Sequence, residues 1–219
     1  MVDLPPLPPR IARLPKDYRG FPVPYFVQWF KEGAASDYGI DGAYPDFRVI
    51  NSRRMDKCFS QSRCWVCGDV LGRHRVFAIG PMCVINRVTM EPPSHRDCAE
   101  FAAKACPFLI RPRMRRNEKG LPAHAPMPGF GIDRNPGCIA LYETSAYRRF
   151  RTATGPLIRL EPPDQIDWWA EGKEATRAEV LESIDSGYPL LMGVARHEGE
   201  DAVKELVRQR EIAMKLVPA

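Results

Sequence analysis

The stretch CWVCGDVLG, residues 64–72, sets two cysteines three positions apart and follows the second with a glycine. A pair so spaced around a tight turn can aim both sulfurs at one ion, or serve as a redox couple. Read outward, the pair finds a counterpart, because the wider pattern is Cys64-x2-Cys67-x27-His95-x2-Cys98. The second pair falls where Pro92, Pro93 and Ser94 open a helix that runs through AEFAAKA and stops near Pro107. Ser94 and Asp97 have the spacing of a capping box. Cys98 would then sit in the first helical turn, where free backbone N–H groups favour the thiolate that binds metal.

Three thiolates and one imidazole select Zn²⁺, and four protein ligands leave no position open for a substrate. The expected cofactor is therefore one structural zinc held by Cys64, Cys67, His95 and Cys98. Cys83, Cys106, His74 and His124 are the candidates to replace one of these ligands. The competing reading is two turn cysteines and a helix that happens to carry a His and a Cys.

A knuckle, a β-hairpin and a helix bearing the second ligand pair are the parts of a treble-clef zinc finger, which residues 64–106 resemble. The string CWVCG, IGPMC and EPPSHRDCAEFAAKACPF also resembles an uncharacterised family of bacterial and phage proteins. That similarity runs from FPVPYFVQW to the ATRAEVLESI helix and implies no activity. The HNH nucleases, often treble clefs, suggest one enzymatic alternative, in which His74 activates water, Asn86 orients it and a second metal lies in the groove. Their usual acidic neighbour of the catalytic His is replaced here by Arg73 and Arg75, which would repel a divalent cation. No other cysteine has a His in a local motif, and GFGIDRNPG lacks the helix and lysine of a phosphate loop.

Seven cysteines, an odd number, fit a reducing cytoplasm, and no apolar run approaches a membrane span. No apolar segment of secretory type is visible at the N-terminus. The net charge of +5 is unevenly spread: residues 51–120 carry +8 and residues 161–219 carry −6. Arg111, Arg113, Arg115, Arg116 and Lys119 form a basic run directly after the zinc helix, and Arg73, Arg75, Arg53, Arg54, Arg148, Arg149 and Arg151 could extend it. Arginine forks suit phosphate oxygens, so nucleic acid is the expected partner, with a protein partner or an inhibitor role as the alternative.

The expected fold is α+β, with small antiparallel sheets around the zinc site and a C-terminal helical pair. Residues 1–24, with seven prolines, read as an extended arm. Residues 25–170 form the zinc-binding domain, with strands at 25–31, 47–50, 75–79, 138–142, 146–150 and 156–160, a short helix after Asn51 or Ser52, and a loop at 117–137. Residues 174–219 form an acidic helical element, in which Thr176 and Glu179 make a capping box and the first helix ends at Gly187. The second carries an apolar stripe of Ala202, Val203, Leu206, Val207, Ile212 and Leu216. Trp65 is either a core residue beside the metal or an exposed recognition aromatic, and of Trp168 and Trp169 one packs while the other meets solvent.

Overall fold

A computed structural model describes residues 4–112, 114, 115, 117, 119, 135–153 and 155–219. The chain is α+β. In order it forms α1 (Pro9–Ala12), β1 (Val27–Lys31), β2 (Ala34–Ser36), β3 (Tyr44–Ile50), α2 (Ser52–Ser60), β4 (Arg75–Ile79), α3 (Pro81–Asn86), β5 (Val88–Thr89) and α4 (Arg96–Ala105). Then come β6 (Ile139–Thr144), β7 (Tyr147–Thr152), β8 (Gly155–Leu160), β9 (Gln165–Ala170), β10 (Lys173–Glu174), α5 (Arg177–Glu198) and α6 (Glu200–Met214).

The strands make three antiparallel sheets, ordered β2-β1-β3, β10-β9-β6-β4 and β5-β8-β7. The four-stranded sheet is the central layer, and β6 is buried on both faces. Because side chains alternate across a strand, Ala140 and Tyr142 join Phe77 and Ile79 on one face while Ile139 and Leu141 join Val76 on the other. Ala99 and Ala103 of α4 pack on the second face; Val180 and Ile184 of α5 and Leu206 and Ala213 of α6 belong to the cluster on the first. Ile158 and Leu160 add one side of the β5-β8-β7 sheet to that cluster. Tyr142 is fully buried, and its hydroxyl donates to the Glu161 carbonyl at 2.7 Å, so the polar end of the ring is satisfied. Trp168 is the packed member of its pair and donates Nε1–H to the Leu216 carbonyl at 2.8 Å. Trp169 is half-buried, with the Lys104 ammonium 4.8 Å from its ring centre.

Several local expectations are revised. The proline-rich arm is not extended throughout, since Pro9 at the first helical position starts the single turn of α1 and Ile11 is buried. The cap of α4 is His95, one residue later than expected, and no capping box forms there. Ser94 instead exchanges two backbone hydrogen bonds with Val76, at 2.8 and 3.0 Å, which holds it in a bridge outside the helix. The second capping box is present, but α5 continues through Gly187 and Pro189 to Glu198. Gly187 is a packing residue: a Cβ there would lie 3.1 Å from Met82, so its small size lets α5 approach α3. In α6 the packed stripe includes Leu206, Gln209 and Ala213, while Val207 and Ile212 face solvent. Gly80 and Pro81, which follow the end of β4 at Ile79, begin α3, an element the sequence pattern did not show.

A candidate metal centre

The knuckle is built by backbone bonds. Cys64 N–H donates to the Asp69 carbonyl at 2.8 Å, Gly68 N–H donates to the Cys64 carbonyl at 2.9 Å, and Arg63 bridges Val70 across the loop. Gly68 is required twice over. Its φ is +80°, and a Cβ would stand 2.7 Å from the Tyr25 ring, while Tyr25 N–H is held by the Val66 carbonyl at 2.7 Å. Trp65 N–H donates to the Pro93 carbonyl at 3.0 Å, so the knuckle is stitched to the segment that enters α4. The Trp65 side chain is buried and stacks on Phe26 with ring centres 4.6 Å apart, which settles it as a core residue.

These connections bring Cys64, Cys67, His95 and Cys98 together, with their ligand atoms all within 4.8 Å of one another. Among the described residues this is the only His, Cys, Asp and Glu group so placed. Cys64 and Cys98 are fully buried. The Cys64 sulfur accepts backbone N–H bonds from Cys67 at 3.4 Å and His95 at 3.5 Å, which steady a thiolate there. His95 Nε2 lies 3.1 Å from the Val70 carbonyl, which can only accept; Nε2 therefore carries the hydrogen, and Nδ1 is left facing the sulfurs, 3.4 Å from Cys67 and 4.0 Å from Cys98. The three sulfurs are within hydrogen-bonding reach of one another. Cys64 is held low by hydrogen bonds from Cys67 and Cys98, Cys67 is pushed up to about 12 by its bond to Cys64, and Cys98 is raised for the same reason. His95 is raised beside the Cys64 sulfur. A set so arranged can hold one metal ion, such as zinc.

The arm supplies contacts that no spacing announced. Ile11 packs in one cluster with Cys64, Val66, Leu71 and Cys98. Arg10 pairs with Asp97 at 3.0 Å and approaches Asp69 at 3.9 Å, and Arg13 pairs with Asp69 at 2.6 Å. A short amphipathic turn with Ile11 between Arg10 and Arg13 was the available signal, masked by the surrounding prolines.

The other candidates disperse. Cys83 and Cys106 are half-buried outside the cluster, and His124 lies outside the described residues. His74 is exposed, with Nδ1 3.1 Å from a Glu143 oxygen, and Asn86 uses its side-chain oxygen to accept from Val88 N–H at 2.8 Å. Glu143 also meets Arg96 at 3.1 Å, and Arg96 in turn meets Glu100 and Asp167. Thus His74 faces an ion-pair network, and Asn86 closes the turn after α3. Arg113 and Arg116 lie outside the described residues, while Arg111, Arg115, Lys119 and Arg73 are exposed. Arg75 and Arg54 are only half-exposed, one over the Tyr147 ring and the other over Tyr25. The expected hairpin between the ligand pairs does not form: β4 pairs with β6, and β5 with β8.

No helix among the described residues is long and apolar enough to cross a membrane. Comparisons with protein-family models, curated proteins and solved structures found no match, so neither the treble-clef likeness nor the bacterial and phage likeness draws support from them.

Proposed function

We propose that this chain is a non-catalytic binding protein stabilised by one zinc ion and that it contacts nucleic acid through arginines. The observation that carries the first half is the closed donor set, three sulfurs and the His95 Nδ1 within 4.8 Å, with the remaining ring nitrogen already committed to Val70. Zinc there would neutralise the thiolates and cross-link the knuckle to α4. The knuckle and the ligand-bearing helix agree with a treble-clef origin, in which the intervening strands have been recruited by neighbouring sheets. The exposed basic segment that follows α4, with Arg111, Arg115 and Lys119, supports the nucleic-acid half.

Metal analysis of the purified protein tests the first half, with about one zinc per chain expected. Binding to a labelled oligonucleotide that weakens steeply with salt tests the second. A protein that binds no nucleic acid at low salt refutes it.

A further inference from the structure

We propose that the outward face of the β5-β8-β7 sheet is a binding surface for single-stranded nucleic acid, with Arg148 and Arg159 meeting phosphates and Phe150 taking a base. This rests on the reading of the chain as a nucleic-acid binder and names a surface separate from the segment after α4. In the register of the sheet, Arg148 of β7 stands directly opposite Arg159 of β8. Like charges in that relation repel and cost stability, so the pair needs an anion to relieve it. Glu161, 3.6 Å from Arg148, relieves one side only. Among the described residues Arg159 meets no carboxylate, and Arg148 is exposed.

The same face carries an aromatic. Phe150 is half-exposed, two positions from Arg148, and the Arg159 guanidinium lies 5.7 Å from its ring centre. Residues two apart share a strand face, so charge and ring are presented together. The opposite face packs Ile158 and Leu160 into the core, and Arg149 lies over Phe59 of α2, which anchors the ribbon to the body of the protein. Arginines beside a ring on a rigid sheet suit unpaired bases, whose faces are free to stack; a duplex hides those faces.

The test is fluorescence anisotropy of the whole zinc-loaded protein with a labelled single strand of about 12 nucleotides, within the site size of one small face. It is titrated over a range of salt beside the corresponding duplex. The variant is Arg159→Glu. The glutamate faces Arg148, so an attractive cross-strand pair replaces a repulsive one and the Tm is held, which separates folding from binding. The expected result is weaker binding and a log K against log salt slope shallower by about 0.7, the share of one phosphate contact on a single strand. Phe150→Leu is expected to weaken the single strand more than the duplex. If the wild type binds and the Arg159→Glu variant binds with the same affinity and slope, the proposal is overturned while the nucleic-acid reading survives through residues 111–119. A wild type that binds neither strand form overturns both.

Discussion

Replacing Cys64 with serine should detach the metal and open one part of the molecule while leaving the rest folded. Cys64 is the hub of the site: fully buried, accepting two backbone N–H bonds, and joined through its own backbone to Asp69 and Gly68. A structural zinc contributes about 10–16 kcal/mol of apparent binding free energy at neutral pH. Whole domains are stable by only about 5–15 kcal/mol. The apolar cluster around the candidate site has five buried residues, Ile11, Val66, Leu71 and the proposed ligands Cys64 and Cys98. It cannot replace a term of that size. The cluster on the central sheet has eighteen buried residues and includes none of the four ligands. Hydrogen exchange on the Cys64→Ser protein should therefore show lost protection in α1, in residues 58–72 and in the first turn of α4, with β4, β6, β9 and α5 still protected. Metal content should fall from one zinc per chain to none. The same pattern should follow chelation of the wild type, more readily at low pH because protons compete for three thiolates and His95. A serine variant that keeps both its zinc and its exchange protection would refute the reasoning.

Gly68→Ala should destabilise by about 1–3 kcal/mol from the left-handed backbone alone, with a further steric cost against the Tyr25 ring; denaturant unfolding of Gly68→Ala in a Tyr25→Ala background should show that steric part removed. Ile11→Ala should cost about 2–5 kcal/mol and loosen the arm from the metal cluster, seen as faster exchange at α1 and faster zinc loss to a chelator; an unchanged zinc off-rate would show the arm to be independent of the site. Thr176→Ala should cost about 1 kcal/mol at neutral pH through loss of the α5 capping box. The hydrogen bond from Thr176 holds Glu179 below the usual glutamate value, so its contribution is present above that value and is lost as pH falls through the folded one; the difference in Tm between wild type and Thr176→Ala should shrink in acid, and a pH-independent difference would contradict the box.

The candidate set of Cys64, Cys67, His95 and Cys98 could be read in advance because its information is local. Two ligands three apart on a turn and two three apart at a helix start each constrain their own geometry, and only their meeting needed the fold. The strands RVFAI, CIALY and PLIRL were legible for a similar reason, since β-branched and aromatic runs bounded by turns announce themselves. What strand pattern does not carry is the partner. β4 could have closed a hairpin beside the knuckle, but Val76 and Phe77 belong on opposite faces of a sheet whose centre is β6, some sixty residues later in the chain. Gly187 looked like a stop because an isolated glycine weakens a helix; contact with Met82 keeps α5 going, and no local pattern encodes that contact.

By itself the sequence determined which atoms could bind metal, the mixed α+β character, the Asn51 and Thr176 helix starts and the basic middle of the chain. Tertiary structure alone decided that His95 offers Nδ1, because the Val70 carbonyl occupies its other nitrogen, and that the N-terminal arm helps to bury the site. It also decided which arginines are committed to rings and carboxylates and which stand against one another on an open strand face. Ligand identity is a property of residue types at short spacing, whereas orientation, burial and charge pairing depend on neighbours that the chain brings in from far away.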